Sequence, residues 1–176
     1  MQRLHLLVIF LFFILANFNV SKGQTLSRLD EDRGAPAYRI ETDLTEAYYL
    51  GEVVEERNYL VRKAGKEVSR FLGGEVLAVR YFHKNFIVGQ IVIFIKKEYD
   101  LVVKKKLLDM YGRPSRFSTQ GGVESAAWIA PKTSLFLDLN YKSVEPIDKF
   151  LDGQVAVIIT QNGFAHQEII ERIEEP

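Results

Sequence analysis

The chain contains no cysteine, so a disulfide framework, thiol chemistry and a cysteine-linked lipid anchor are all unavailable to it. A protein of 176 residues in that position depends on core burial for its stability. Charge of one sign is missing too: 23 Lys and Arg stand against 23 Asp and Glu. If Arg3 and Lys22 are removed with a signal segment, the balance becomes 21 to 23, which leaves no electrostatic footprint for nucleic acid or an anionic membrane. Histidine is scarce. His83 and His166 stand far apart and neither adjoins a Gly-x-Ser-x-Gly elbow, so a serine triad and a zinc site both lack parts. No Asp-x-Asp-x-Asp-Gly calcium loop occurs, and Gly121-Gly122 precedes an expected strand, where a phosphate cradle needs a helix. No catalytic, cofactor-binding or metal-ligating residue is assigned, and no cofactor is expected.

Long hydrophobic runs are absent as well. Leu6 to Ala16 is apolar but too short for a bilayer, which needs about 20 residues. Arg3 precedes it and a polar stretch ending in Ser21-Lys22-Gly23 follows, which is the pattern of a secretory signal peptide over residues 1–23, cleaved before Gln24. The rival reading is an uncleaved anchor. Asn19-Val20-Ser21, the sole N-glycosylation triplet, falls inside that signal. These features favour an exported bacterial protein, periplasmic or secreted, with no transmembrane segment.

What is present centres on Lys96 to Pro114. Tyr99, Val103, Leu107, Met110 and Tyr111 share one side at helical spacing. Glu98 and Asp100 open this helix, Lys104, Lys105 and Lys106 come later to suit the macrodipole, and Gly112 with Pro114 stops it. Leu101 and Leu108 lie almost opposite the main stripe, as surface leucines or as a second contact. Residues 24–38 read as a flexible lead-in and 39–176 as a single domain. Ala47 to Val54 and Asn58 to Arg62 lean to strands, with a helix through Glu55 to Lys63 as the alternative, and Glu67 to Leu72 reads as a helical turn closed by Gly73-Gly74.

Glu75 to Phe82 and Phe86 to Ile95 form a β-hairpin joined by His83-Lys84-Asn85. The second strand is apolar on both faces, which predicts a central strand covered on both sides, and Gly89-Gln90 marks a bulge or close approach. Arg113 to Gly122 reads as a polar loop. Strands follow at Val123 to Ala130, Thr133 to Tyr141 and Gln154 to Thr160; Ser134, Asp138 and Asn140 predict one wet side for the middle one. Phe164 to Glu174 reads as a C-terminal helix. The expected class is α+β, an antiparallel sheet of about five or more strands with one main helix, about 98–111, across one face. The other face needs a further layer, from Arg39 to Leu72, from the C-terminal helix or from another molecule.

The helix end Leu107-Leu108-Asp109-Met110-Tyr111-Gly112-Arg113-Pro114, then a loop, then a strand carrying Trp128, resembles small exported bacterial proteins. It is similar to β-lactamase-inhibitor-like and outer-membrane-assembly lipoprotein domains over about 50 residues. The likeness implies a binding or scaffolding module and no enzyme. The chain departs from that group in its early strands and in lacking the lipid-anchor cysteine, and no functional residues are carried across.

Carboxylates at Glu41/Asp43, Glu55/Glu56, Asp138 and Glu145/Asp148 fall in expected loops or on outward strand faces, where solvation explains them. The basic run Lys96, Lys97, Lys104, Lys105, Lys106, Arg113 and Arg116 reads as a wet helix face or an anion site. Tyr81 and Phe82, with Tyr48, Tyr49 and Tyr59, exceed what a small core requires, and tyrosine favours contact surfaces. The expected partner surface is Tyr48, Tyr49, Tyr59, Leu101 and Leu108. It serves a non-catalytic module that binds a protein or a second copy of itself through an apolar sheet or helix surface. The alternatives are an envelope-polymer hydrolase using Asp and Glu, and a small-ligand carrier with a cavity between sheet and helix.

Overall fold

The hairpin around Asn85 is the centre of the architecture. The computed structural model describes residues 26–35, 38–44, 51–56, 59–64, 70–120, 123–143 and 146–164. Residues 26–32 are helical (α1), followed by the short pair β1 (Gly34–Ala35) and β2 (Tyr38–Arg39). Then come β3 (Gly51–Glu56), β4 (Tyr59–Ala64), β5 (Arg70–Phe71), β6 (Gly74–Lys84) and β7 (Ile87–Ile95). A 3₁₀ turn at Lys97–Tyr99 leads into α2 (Asp100–Tyr111), and β8 (Arg116–Gln120), β9 (Val123–Ile129), β10 (Thr133–Asp138) and β11 (Val155–Gln161) complete the order.

All but the first two strands join one nine-stranded sheet in the order β3-β4-β6-β7-β11-β10-β9-β8, with β5 paired to the start of β6. Every pairing is antiparallel. Two meanders thus meet at β7 and β11, and the first strand of each, β3 or β8, lies at an outer edge. Helix α2 joins the centre to the far edge, so the chain carries it across the second meander. The α+β reading with an antiparallel sheet holds, and the helix is small beside the sheet.

Register explains the double-sided apolar pattern of β7. Trp128, Leu135, Ile159, Ile91 and Tyr81 form one buried row across five strands, and Ala126, Leu137, Val157, Ile93 and Val79 the next. Leu29, Ala35, Tyr38, Ile40, Leu44, Val103, Leu107 and Tyr111 cover that face. The opposite face carries Phe82, Val92, Phe94, Phe136, Ala156 and Ile158, packed with Tyr141, Leu151 and Phe164. The chain's own residues therefore supply both covering layers, and the sheet faces do not call for a foreign one.

Several expectations need correction. Residues 26–35 are not a loose lead-in: Leu29 and Ala35 are fully buried, and Asp30 accepts hydrogen bonds from the backbone N–H of Lys132 and Thr133. The polar composition misled because only one face of α1 is apolar. Arg70–Phe71 pairs as β5 where a helical turn was expected, since the Leu72-Gly73 turn closes it directly onto Gly74. The stretch 113–122 contains β8, which has no clear alternation. Both sides of β10 are buried, because Tyr141 and Leu151 pack with Phe136 on the second face and the Ser134 hydroxyl there donates to the Asn162 side chain. Lys104 to Lys106 sit mid-helix, and no basic residue occupies the last turn of α2. The proposed signal 1–23 and the C-terminal helix after Phe164 lie outside the described residues.

Two local geometries fix the central hairpin. Lys84 pairs with Ile87, leaving Asn85 and Phe86 as a two-residue turn with φ of 51° and 66°. Positive φ at both positions is the type I′ requirement, usually met by Asn-Gly. The register slips between Phe82 and His83, leaving Gly89 as the extra residue of a bulge. A side chain at Gly89 would collide with the Phe164 ring, which lies directly on the backbone there.

Candidate protein-binding surface

The rotation of α2 is set by Val103, Leu107 and Tyr111, all buried. Its position is pinned at both ends. At the start, the Lys97 ammonium donates to the Leu139 carbonyl at 2.7 Å and pairs with Asp100 at 3.0 Å. Asp100 in turn accepts from the Leu101 N–H, and these contacts, Lys97 first, hold its carboxyl below the usual range. At the end, the Gly112 carbonyl accepts from the Trp128 indole at 2.9 Å, and the Tyr111 hydroxyl donates to the Gly34 carbonyl at 2.8 Å. Gly112 itself, at φ 70° and ψ −154°, occupies a region open essentially to glycine alone.

With the helix so fixed, Leu101 and Leu108 lie two turns apart on the flank toward β8. Lys104 lies between them, bonded to Glu124 on β9 and 5.5 Å over the Phe117 ring on β8. Val102 points the opposite way, toward Gly73. Leu101 is 73% exposed, Leu108 37% and Phe117 55%. Phe117 pairs with Ala126, which belongs to the core under α2, so Phe117 stands on the helix side of the sheet. No described strand pairs with the outer side of β8, and Arg116 to Thr119 are exposed. The result is a strip of apolar side chains between a rigid helix and an open sheet edge.

The expected site residues divide. Leu101 and Leu108 are on the strip. Tyr48 and Tyr49 lie outside the described residues, and Tyr59 is on β4 with its side chain not among those described. Tyr81 and Phe82 are buried, so their excess over a small core reflects a larger core than anticipated. The basic run is broken up by ion pairs: Lys96 with Glu75, Lys97 with Asp100, Lys104 with Glu124. Its late members Lys105 and Lys106 remain exposed on the helix. Sequence reasoning missed Phe117; a phenylalanine inside an otherwise polar stretch was the available signal.

The opposite face holds a small polar group within its core. Arg80 lies 5.0 Å over the Phe94 ring and donates toward the Tyr141 hydroxyl at 3.5 Å. Gln90 is fully buried, and neither atom of its amide finds a hydrogen-bond partner among the described residues. Among the described residues no group of three His, Asp or Glu is placed to hold a metal, and no helix is long and apolar enough to cross a membrane. Comparison with family models, with curated proteins and with solved structures finds no match.

Proposed function

We propose that this chain is an exported, non-catalytic binding or scaffolding module that engages a protein through the α2–β8 strip. The observation that carries the reading is the pair Leu101 and Leu108, held toward solvent by a helix pinned at both ends, beside exposed Phe117 on an edge strand. Isolated surface leucines are ordinary; three large apolar groups aligned along an open edge mark a contact surface. The resemblance to small exported binding domains agrees with this reading, and the signal-like residues 1–23 support a periplasmic or secreted location.

The test compares the purified chain with a Leu101→Asp/Leu108→Asp variant by light scattering and by capture from an envelope fraction. Self-association or a captured protein that disappears in the variant supports the reading. A monomer whose captured set is unchanged by both substitutions overturns it. Mass measurement of the exported chain tests the location: a mature N-terminus at Gln24 is expected, and retention of residues 1–23 refutes the cleaved signal.

A further inference from the structure

We propose that the strip receives an extended acidic segment of a partner protein, which adds to the sheet as a new strand alongside β8. This rests on the reading above and names its mode and partner class. The edge supplies the backbone half of such a contact, because a terminal strand presents unpaired N–H and C=O groups that template another strand. Helix α2 supplies the side-chain half. Leu101 and Leu108 are about 10 Å apart along the helix at 1.5 Å per residue. Successive side chains on one face of an added strand are about 7 Å apart. Two apolar side chains of the incoming strand thus fit along the wall formed by Leu101, Leu108 and Phe117.

Charge selects the partner. Lys105 and Arg113 are exposed around the strip, Lys104 and Glu124 neutralise each other, and Asp109 is the exposed acid nearby on α2. The other edge strand, β3, has the sequence Gly-Glu-Val-Val-Glu-Glu with acids at Glu52, Glu55 and Glu56. An acidic strand is therefore drawn to β8 and repelled from β3, and a basic strand has the reverse preference. The segment that fits alternates Val, Ile or Leu with Asp or Glu.

The probe is a fluorescein-labelled heptapeptide alternating Glu with Val or Ile, titrated into the purified chain and followed by anisotropy. Its lysine counterpart is the control. Saturable binding of the acidic peptide, weakened by salt and reduced at least tenfold by Leu101→Asp/Leu108→Asp, is expected. Hydrogen exchange should show new protection of alternate β8 amides and none on β3. Ser118→Pro and Thr119→Pro are both made, because neighbouring N–H groups on a strand point to opposite sides and one of the two faces the partner. Loss of binding in either, with near-ultraviolet dichroism of Trp128 preserved, supports strand addition. Equal binding of the lysine peptide, or acidic-peptide binding that leaves β8 exchange unchanged, overturns it. If the leucine variant loses protein capture while the acidic peptide never binds, the surface stands and strand addition falls. Self-association abolished by Glu52→Lys/Glu55→Lys would assign the edge to a second copy and overturn the claim for a separate partner.

Discussion

Replacing Tyr111 by Phe tests how α2 is anchored to the N-terminal segment. The phenol is almost fully buried, and its hydroxyl donates to the Gly34 carbonyl at 2.8 Å, beside the short β1–β2 pair. Phenylalanine keeps the ring and its packing but removes the donor, leaving a buried carbonyl without that partner. Losing a neutral hydrogen bond and stranding its acceptor costs about 1–3 kcal/mol. For a chain of this size that lowers the melting temperature by about 2–4 °C per kcal/mol.

The same hydroxyl gives a second, independent signature. Burial pushes the Tyr111 phenol up to about 12, with the nearby Asp32 carboxylate acting in the same direction. An unfolded tyrosine ionises near pH 10. Below that pH neither state is ionised and the stability is intact; as pH rises from about 10 to 12 the unfolded state releases its proton first and is favoured. Over that window the group withdraws about 3 kcal/mol, one pKa unit corresponding to about 1.4 kcal/mol. Burial raises the Tyr38 phenol as well, and that contribution is common to both proteins. The Tyr111→Phe variant is thus less stable than the parent at pH 8 and declines less steeply above pH 10. Urea titrations at pH 8, 10 and 11 measure both effects. Equal stability at pH 8, or parallel decline above pH 10, refutes the assigned hydrogen bond and burial.

Three further outcomes follow from local geometry. Gly89→Ala forces the Phe164 ring off the bulge and destabilises by about 1–3 kcal/mol; combined with Phe164→Ala the two losses are less than additive, and full additivity in a double-mutant cycle contradicts the contact. Phe86 is 63% exposed with φ of 66°, so Phe86→Gly relieves the turn at little cost in burial and raises stability by about 0.5–1 kcal/mol. A lower melting temperature in that variant would show that the ring's stacking on His83 outweighs the strain. Asp30→Ala removes the acceptor that ties α1 to the start of β10 and lowers the urea midpoint by the equivalent of about 1–2 kcal/mol, with Asp30→Asn falling between. An unchanged midpoint would mean that α1 is held by the packing of Leu26 and Leu29.

How far the chain was legible depends on where each signal resides. The α2 stripe was readable because Val103, Leu107 and Tyr111 recur at the helical period, and the β6–β7 hairpin because β-branched residues crowd around a short turn. The connection was read as His83-Lys84-Asn85, whereas the strand runs on to Lys84 and the turn is Asn85-Phe86, since Phe86 looks like a strand residue and takes positive φ only because Lys84 and Ile87 pair. Strand β8 was illegible: Arg-Phe-Ser-Thr-Gln has neither alternation nor a turn signal, and pairing with β9 alone makes it a strand. Leu101 and Leu108 were singled out by their position off the stripe, whereas Phe117 needed the fold to bring it beside them.

Composition and hydrophobic periodicity determined by themselves that this is a cysteine-free α+β protein with a helix between two sets of strands, because period and propensity are properties of neighbours in the chain. Which strands pair, which segments cover each face and which described strands lie at the sheet edges were decided by tertiary structure alone, because they depend on contacts between residues far apart in sequence. Tyr111 meets Gly34, Asp30 meets Thr133 and Lys104 meets Glu124 only once two meanders have closed around β7 and β11. The strip is a product of that closure: α2 and β8 follow one another in the chain, but pairing with β9 is what turns Arg116–Gln120 into an edge strand beside the helix.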